Sequence, residues 1–515
     1  MYSTVLSGAL LGVNACMVQL EVDVSPGLPC MNMVGTLGSS VRESKERVFS
    51  AMKNIGLELP PKHITVNLSP ADLHKEGTLY DLPIAVGLME GLACVPKGCL
   101  EGILFLGELG LNGEIRRVRG VLPIVRKAAC EGIRECVIPL ENLEEGALIP
   151  GITVRGAAHL EEVLLFLAAD ERSREEILPA KKLDAQALIR ESGKEESADF
   201  SQVCGQDMAK RAAKIAAAGF HSLLMLGPPG AGKSMIAKRI PGILPPLTLE
   251  ESLEVTSIYS VAGKLGDKPM ICQRPFQSPH HTISAPALNG GGILPRPGMI
   301  SLSHRGVLFL DELPEFQRST LDSLRQPLED KKIQIARASG NLVYPADFML
   351  VGAMNPCPCG YFPDRNKCRC TEPQIKQYAG RVSGPILDRM DLCVELKTVE
   401  IGSLHTSGKG ESSSEMCKQV ERARSLQAER FRGSRYRFNA DVETADMERY
   451  CFLGEAERRF TESIYEKMNL SARSYHRIRK VARTIADLEG EERIREEHLM
   501  EAVMFRPVQE IWRYR

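Results

Sequence analysis

Residues Gly227 to Ser234 carry the strongest chemical signal in the chain, because they lie between the apolar run "LLML" and the helical pattern "SMIAKRI". A strand, a glycine-rich loop with the spacing G-x-x-x-x-G-K-S and a helix form the P-loop arrangement. Backbone N–H groups of such a loop wrap phosphates, the lysine neutralises the β- and γ-oxygens, and the serine hydroxyl binds Mg²⁺. The sequence therefore predicts an ATP site with Mg²⁺ held partly by Ser234, formed by Gly227, Pro228, Pro229, Gly230, Ala231, Gly232, Lys233 and Ser234.

Acidic and amide side chains follow two further apolar runs. "VLFL" ends at Asp311 and Glu312, and "FMLVGAM" ends at Asn355. The carboxyl ends of parallel strands share one edge of an open α/β sheet, where ligands bind. We expect Asp311 to hold Mg²⁺, Glu312 to deprotonate the attacking water, and Asn355 to hold that water or contact the γ-phosphate.

Four cysteines are clustered directly after Asn355 in the stretch "NPCPCGYFPDRNKCRC", whereas the other cysteines of the chain are scattered. Four soft ligands at short spacing suit tetrahedral Zn²⁺. Reduced free thiols and a redox switch remain the alternatives. The predicted zinc ligands are Cys357, Cys359, Cys368 and Cys370.

"GPPGAGKS", "VLFLDE" and Asn355 resemble Walker A, Walker B and sensor 1 of the AAA+ ATPases over residues 199–396. The resemblance implies an arginine from a neighbouring subunit, and "SGPILDRMDL" indicates Arg389, with Arg381 as the rival and a salt bridge within the chain as the alternative role. "LSARSYHRIRKVARTIADL" resembles the sensor 2 helix, which implies that Arg473 contacts the γ-phosphate.

The long stretch from "PFQSPHHTISAPALNGGG" to "LFLDELPEF", followed by "MNPCPCG", resembles the magnesium-chelatase-like YifB/ComM family across nearly the whole chain. The resemblance implies a homo-oligomeric ring, a hexamer, that couples ATP hydrolysis to DNA translocation or branch migration in recombination and natural transformation. The alternative is a magnesium-chelatase-type or chaperone-like, protein-remodelling motor. No protein partner is indicated.

The stretch "LGELGLNGEIRRVRGVLPIVRKAACEGIRECVIPLEN" resembles the Lon protease domain. Lon uses a Ser-Lys dyad, but the corresponding positions here are about Ile84 and Ile124. The resemblance therefore implies a Lon-like fold without a nucleophile or a base, and we do not expect peptidase activity.

A hairpin is predicted in "DKKIQIARASGNLVYPADF", with two strands around the turn "ASGN". The ATPase core also resembles the MCM helicases, in which such a hairpin contacts DNA, and this resemblance implies phosphate contacts by Lys331, Lys332 and Arg337. Solvated surface charge is the alternative reading of these side chains.

Together these resemblances imply an α/β multidomain protein with a Lon/S5-like α+β domain, an AAA+ P-loop NTPase domain and a C-terminal helical lid. Alternating strand and helix patterns predict the first domain over residues 1–168, and a charged stretch without an apolar stripe predicts a linker over 169–198. The ATPase core is expected over 199–396, a flexible linker over 397–415 and the lid over 416–515.

The formal net charge is −1, so affinity for nucleic acid must come from local patches. The sequence shows neither a signal peptide pattern nor an uninterrupted apolar run of membrane-spanning length. We therefore expect a cytoplasmic protein without a membrane partner.

Overall fold

The structure is a computed structural model, and it describes residues 1–57, 59–192, 198–292, 295–337, 340–398, 410–468 and 470–506. The protein is an α/β multidomain protein: an eight-stranded sheet forms the first part, a five-stranded sheet the second, and helices the third.

The first part contains ten strands and eight α-helices among the described residues. The strands are β1 (Tyr2–Leu11), β2 (Asn14–Ser25), β3 (Cys30–Val34), β4 (His63–Ser69), β5 (Ile103–Phe105), β6 (Glu108–Leu109), β7 (Ile115–Arg116), β8 (Glu135–Pro139), β9 (Thr153–Ala157) and β10 (Ala180–Lys181). The helices are α1 (Ser39–Arg42), α2 (Ser44–Asn54), α3 (Asp81–Gly91), α4 (Val121–Cys130), α5 (Leu143–Gly146), α6 (Leu160–Ala168), α7 (Glu171–Ile177) and α8 (Ala185–Ser192).

The eight-stranded sheet has the order β10-β9-β8-β5-β1-β2-β4-β3 and mixes parallel with antiparallel pairs. In β2, Val18, Leu20, Val22 and Val24 are buried while their neighbours are more exposed, which is the period-two pattern of a strand with one covered face. Helix α3 is buried along nearly its whole length because it packs on β1 and β2.

The segment predicted to be a linker, residues 169–198, is largely folded onto this first part. It contains α7, β10 and α8, and β10 pairs with β9 at the edge of the sheet. Leu178 and Ala185 are buried in the same core. The segment has a charged surface but also a few buried apolar contacts. The lack of a clear apolar stripe in its sequence therefore did not indicate that it packs on the first part. Where one domain ends and the next begins stays a prediction.

The second part contains nine strands and nine α-helices among the described residues. The strands are β11 (Leu223–Leu226), β12 (Phe276–Gln277), β13 (Gly290–Gly291), β14 (Arg296–Pro297), β15 (Val307–Leu310), β16 (Lys332–Arg337), β17 (Gly340–Pro345), β18 (Met349–Met354) and β19 (Leu392–Glu395). The helices are α9 (Asp207–Gly219), α10 (Lys233–Ala237), α11 (Leu249–Ala262), α12 (Ala285–Asn289), α13 (Met299–Leu302), α14 (Arg318–Asp322), α15 (Arg325–Asp330), α16 (Glu372–Gly380) and α17 (Gly384–Leu387).

The five-stranded sheet is parallel and has the order β12-β15-β18-β11-β19. Side chains of β11, β15 and β18 alternate between two cores: Phe309, for example, joins the core shared with α9, and Leu310 joins the core on the opposite face. Both faces are therefore covered, as expected for a parallel sheet. Ligand-binding residues are left to the ends of the strands.

Two hairpins extend from this sheet. β16 and β17 pair antiparallel, and β13 pairs with β14 inside a stretch that we call the inserted segment, residues 273–298. The tip of the first hairpin, residues 338 and 339, lies outside the described part of the chain. The β16–β17 hairpin also touches the first part, since the carbonyl oxygen of Val343 lies 2.8 Å from where a Cβ on Gly12 would sit.

The third part contains helices and no strand among its described residues. Its α-helices are α18 (Ser413–Arg430), α19 (Met447–Tyr450), α20 (Glu455–Lys467), α21 (Ala472–Glu489) and α22 (Glu496–Met504). Ser412 and Glu415 form a capping box at the start of α18, and α21 ends at Gly490 with φ +75°. Helices α18 and α21 pack on α9, so this part shares a core with the five-stranded sheet.

The predicted linker over residues 397–415 lies mostly outside the described residues, which leave out 399–409. Helix α18 already begins at Ser413, before the predicted start of the lid. No helix in the described part of the chain combines the length and the apolar character needed to cross a membrane.

Candidate active site and metal centre

The end of β11 and the ends of β15 and β18 bring four predicted site residues together. The Lys233 ammonium donates to Oδ1 of Asn355 at 2.9 Å, and the Ser234 hydroxyl donates to Oδ2 of Asp311 at 2.6 Å. The phosphate-binding loop, residues 227–234, thus contacts both neighbouring strand ends. Parallel register explains the meeting, because β18 lies between β11 and β15.

Lys233 is buried and has two more contacts, to the carbonyl oxygens of Gly227 at 2.6 Å and Pro228 at 3.0 Å. Burial lowers the pKa of Lys233, while the nearby charges of Asp311 and Glu312 act in the opposite direction. The ammonium group is therefore held at the loop by three oxygen atoms.

The loop is shaped by glycines at positions that other residues do not fit. Gly232 has φ +92°, and a Cβ on Gly227 would lie 2.6 Å from the carbonyl oxygen of Leu396. Both the left-handed backbone and the close approach require glycine. The glycine spacing therefore has a structural reason, and the binding of phosphate by the loop stays a prediction.

Glu312 stands apart from this group. Its backbone lies in the left-handed region with φ +51°, and its N–H donates to Asp311 at 2.9 Å. Its carboxylate instead meets His281 of the inserted segment, with Oε2 and Nδ1 3.6 Å apart. Sequence reasoning did not place His281 in the site, because a two-residue strand such as β12 has no detectable period.

The four clustered cysteines converge. Their sulfur atoms all lie within 4.8 Å of one another, and the Cys357 sulfur is 3.3 Å from that of Cys359 and 3.7 Å from that of Cys368. Four sulfurs at about 2.3 Å from a tetrahedral zinc are separated by about 3.8 Å. The thiol set therefore fits Zn²⁺ in both donor type and spacing.

The cysteine loop also touches the phosphate-binding loop. Gly360 has φ +85°, and a Cβ there would lie 2.5 Å from Cδ of Pro229 and 3.7 Å from Cγ of Asn355. Phe362 and Ile375 form a small core with the cysteines. The cysteine loop is thus packed directly against two residues of the candidate ATP site.

Arg389 lies at the amino end of the parallel strands, whereas Lys233 lies at their carboxyl end. It precedes β19, whereas the phosphate-binding loop follows β11, and β11 and β19 are parallel neighbours. A four-residue strand separates the two edges by about 13 Å. Arg389 donates to Glu329 and to the carbonyl oxygen of Pro385 at 2.7 Å, so it does not reach the phosphate-binding loop of its own chain.

Arg473, at the start of α21, is on the same side as Arg389. Its guanidinium lies 3.7 Å from Oε1 of Glu329, the same oxygen to which Arg389 donates. One turn further along α21, Arg477 forms a separate ion pair, 3.3 Å from Oδ1 of Asp391. The two arginines chosen separately from the sequence are therefore brought together by Glu329, which the sequence gave no reason to select.

Arg381 is the other candidate for the arginine supplied to a neighbouring subunit. It donates to both carboxylate oxygens of Glu315, at 3.0 and 2.9 Å. It is half-exposed and lies after α16. The structure therefore separates Arg381 from the pair formed by Arg389 and Arg473.

The predicted DNA-contacting lysines differ in their surroundings. Lys331 lies 3.3 Å from Asp347 and also forms an ion pair with Asp441, whereas Lys332, the first residue of β16, is exposed. Arg337 ends β16, and its side chain lies outside the described part of the structure. Of the two lysines, Lys332 is the one whose side chain faces solvent.

The two positions that match the Lon dyad are deep inside the first part. Ile84 on α3 and Ile124 on α4 are fully buried in its core. They carry no polar atom, so these positions cannot supply a nucleophile or a base.

Comparison with known proteins matches three magnesium chelatase families along the chain. Residues 199–404 match magnesium chelatase, subunit ChlI; residues 20–142 match subunit ChlI of Mg-chelatase; and residues 410–506 match the magnesium chelatase subunit ChlI C-terminal family.

The competence protein ComM of Haemophilus influenzae is 43% identical over 504 residues, which cover 98% of this chain and 97% of that protein. The uncharacterized protein YifB of Escherichia coli is 42% identical over 507 residues, 98% of this chain and 97% of that protein. Lon protease 2 of Bacillus subtilis is 27% identical over 235 residues, 39% of this chain and 41% of that protein. The chain belongs to the magnesium-chelatase-like AAA+ family of ComM and YifB.

Proposed function

We propose that the protein is a ring-forming ATPase that uses ATP hydrolysis to move along DNA or to migrate DNA branches. The observation that carries the ATPase is the meeting of Lys233 with Asn355 and of Ser234 with Asp311 at one sheet edge. Membership of an AAA+ family agrees with it.

In this proposal the side chains divide the work of hydrolysis. Lys233 and the loop N–H groups bind the phosphates of ATP, and Ser234 and Asp311 hold the Mg²⁺ that supplies charge neutralisation at the phosphates. Glu312 accepts the proton of the attacking water, and Asn355 positions that water.

The position of Arg389 and Arg473 supports a ring. Both lie at the end of the strands opposite Lys233 and pair with Glu329, so in this proposal they leave Glu329 to serve a site on a neighbouring subunit rather than their own. A trans arginine contributes about 10³–10⁵-fold to the rate of such sites. A hexamer is the expected assembly for the proposed activity.

DNA is supported by the exposed Lys332 on the β16–β17 hairpin and by the similarity to a competence protein. Cationic side chains on a hairpin suit phosphate contacts that are sensitive to salt and largely independent of sequence. A DNA-dependent motor of this kind would act in the cytoplasm.

We also propose that Cys357, Cys359, Cys368 and Cys370 hold a structural Zn²⁺. The fit of the sulfur spacing supports this assignment. The contact of Gly360 with Pro229 gives the zinc a role in supporting the phosphate-binding loop.

The test is ATP hydrolysis by the full chain with and without single-stranded, duplex and branched DNA, with Glu312→Gln as the inactive control. We expect stimulation by DNA, strongest with branched forms and lost at high salt. Lys332→Ala should weaken the stimulation, whereas Lys467→Ala, at an exposed lysine on α20, should leave it unchanged. Hydrolysis that no DNA affects would favour a chelatase-type or protein-remodelling motor.

A further inference from the structure

Lys331, the residue before β16, is held between two carboxylates. Its ammonium group lies 3.3 Å from Oδ1 of Asp347 and donates to Oδ1 of Asp441. Both aspartate side chains are only 10% exposed. Drawing Lys331 out would leave two nearly buried anions without this cation, which is costly. The charge of Lys331 is therefore already matched within the chain, whereas that of the exposed Lys332 is available to a phosphate.

Asp441 is fixed to the third part of the chain. Its Oδ2 accepts hydrogen bonds from the backbone N–H groups of Arg437 and Phe438, at 3.1 and 3.0 Å. The carbonyl oxygen of the preceding residue, Ala440, accepts a hydrogen bond of 2.9 Å from Lys480 on α21. We therefore expect Asp441 to move together with α21.

Helix α21 is connected to the end of α15 at two points. At its start, Arg473 lies 3.7 Å from Glu329. About two turns further on, Lys480 holds the segment whose Asp441 accepts from Lys331. Glu329 and Lys331 both lie at the C-terminal end of α15, directly before β16. A displacement of α21 therefore acts on the base of the β16–β17 hairpin.

The two connections differ in strength. The side chains of Arg473 and Glu329 are both more than half-exposed, and exposed ion pairs contribute little. Lys331 pairs instead with a nearly buried aspartate, and a pair of that kind is costly to break. If Arg473 leaves Glu329 to serve a nucleotide, the contact between Lys331 and Asp441 remains. This contact would then carry a movement of α21 to the hairpin.

We propose that Lys331 is a positioning residue that couples α21 to the β16–β17 hairpin through Asp441, and that it does not contact DNA. The proposal rests on the proposed function, because it takes α21 to respond to ATP and the hairpin to bind DNA. A nucleotide that moves α21 would thereby move Lys332 on β16 relative to the DNA. This role differs from the phosphate contact that the resemblance implied for Lys331.

The first test measures binding of branched DNA to the full chain over a range of salt concentrations, together with the maximal stimulation of ATP hydrolysis. Lys332→Ala should lower the DNA affinity and reduce its salt dependence by about one phosphate contact. Lys331→Ala should leave the salt dependence unchanged and lower the maximal stimulation by about twofold or more. Lys331→Arg keeps a cation between the two carboxylates and should restore the stimulation.

Asp441→Asn distinguishes coupling from DNA contact, because the two roles predict opposite results. If Lys331 bound DNA, removing its carboxylate partner would free the lysine and raise the DNA affinity. As a coupling contact, Asp441→Asn should lower the stimulation as Lys331→Ala does, and the double variant should be no lower than either single one. Glu443→Gln, at an exposed acidic residue near Asp441, is the matched control and should change neither measurement.

The second test needs no DNA. Hydrogen exchange of the β16 and β17 amides is measured with and without a non-hydrolysable ATP analogue. We expect the analogue to change this exchange in the unchanged protein, and the change to be lost in Lys331→Ala and Asp441→Asn. Thermal unfolding of the same samples shows that both variants are folded.

A reduced salt dependence in Lys331→Ala would overturn the proposal, as would raised DNA affinity with normal stimulation in Asp441→Asn. Exchange that a bound analogue leaves unaltered in the unchanged protein, or still alters in both variants, would overturn it too. The proposed function fails separately. If no DNA binds the unchanged protein, its DNA part is wrong, while the exchange measurement still decides the role of Lys331.

Discussion

The ammonium group of Lys233 contacts three oxygen atoms, from Gly227, Pro228 and Asn355. These contacts fix its position, and burial strengthens its interaction with any nearby anion. If ATP binds as proposed, its phosphate takes over part of these contacts. Lys233 is accordingly the side chain whose loss should affect nucleotide binding most directly.

We expect Lys233→Ala to weaken ATP binding by about 10- to 100-fold, because a hydrogen bond to a charged group contributes about 1.5–3 kcal/mol. Titration with a fluorescent ATP analogue measures the change. Lys238→Ala, on the same stretch of chain but outside the phosphate-binding loop, serves as the control. Equal affinity of Lys233→Ala and the unchanged protein would show that the nucleotide does not bind at this loop.

Lys233, Ser234, Asp311 and Asn355 could be found from sequence because each follows an apolar strand or belongs to a motif with fixed spacing. Whether they carry the proposed roles is for the experiments to decide. His281 and Glu329 could not be found in this way. Their contacts depend on strand pairing and helix packing between residues far apart in the chain, for which local spacing has no signal.

At the scale of elements, the cysteine loop is the clearest case of a local pattern that fixes a local structure. C-x-C pairs at both ends of a short loop bring four sulfurs together, and the loop begins directly at Asn355. Its packing on Pro229 was not visible in the sequence, because it depends on the absence of a side chain at Gly360.

We expect the purified protein to contain about one zinc ion per chain, since one set of four cysteines forms one tetrahedral site. Cys359→Ser should lower the zinc content and raise KM for ATP, because the loop that packs against Pro229 loses its support. Elemental analysis and ATPase assays measure the two effects. Cys130→Ser, at an exposed cysteine on α4, should change neither. A metal-free protein with full activity would instead indicate free thiols.

Helix α11 contacts the residues just before β15 through Glu254. The hydrogen bond from His304, with the charge of Arg305, lowers the pKa of Glu254 to about 2, although burial acts in the opposite direction. The folded-state pKa lies below the ordinary value of 4.5, so the contact stabilises the fold above about pH 4.5 and is lost as the pH falls toward 2.

We therefore expect Glu254→Gln to lower the free energy of unfolding at pH 7 by about 1–3 kcal/mol, the cost of losing charged hydrogen bonds at a half-buried site. The difference from the unchanged protein should shrink as the pH falls below about 4.5. Thermal unfolding midpoints between pH 7 and pH 4 measure this trend. Glu250→Gln, at an exposed residue of the same helix, is the control, and equal midpoints for both variants would contradict the prediction.

Helices and strands with few apolar residues were harder to predict from the sequence than apolar strands and motifs with fixed spacing. The parallel sheet follows from apolar runs such as β11 and β15, whose residues are almost wholly buried. By contrast, α7, β10 and α8 have charged surfaces, and their few apolar contacts become meaningful only when β10 pairs with β9. Tertiary context, which the local sequence does not contain, decides the structure of that segment.

At the scale of the whole molecule, the residues of the candidate active site lie at opposite ends of the strands of one sheet. Lys233, Asp311 and Asn355 lie at the carboxyl end of the strands, and Arg389 and Arg473 lie at the other end, joined by Glu329. A single chain cannot bring these edges together. A ring can bring them together, if the end of the sheet that carries Arg389 in one subunit faces the end that carries Lys233 in the next.

This division predicts that two inactive variants restore each other when mixed. Arg389→Ala keeps the phosphate-binding loop but lacks the arginine, and Lys233→Ala keeps the arginine but lacks the lysine. In randomly mixed rings about a quarter of the interfaces pair an intact loop with an intact arginine, so the ATPase rate should recover to about a quarter of that of the unchanged protein. Arg389→Ala alone should be lower by about 10³-fold or more, the effect of losing a trans arginine.

The same mixing separates the candidate arginines. Arg381→Ala mixed with Lys233→Ala should stay near the average of the two separate rates if Arg389 is the trans arginine, because both variants keep Arg389. Arg459→Ala, at an exposed arginine on α20, should be fully active alone. Recovery with Arg381→Ala but not with Arg389→Ala would assign the role to Arg381. Absence of recovery in every mixture would mean that each chain completes its own site, which the separation of the two sheet edges argues against.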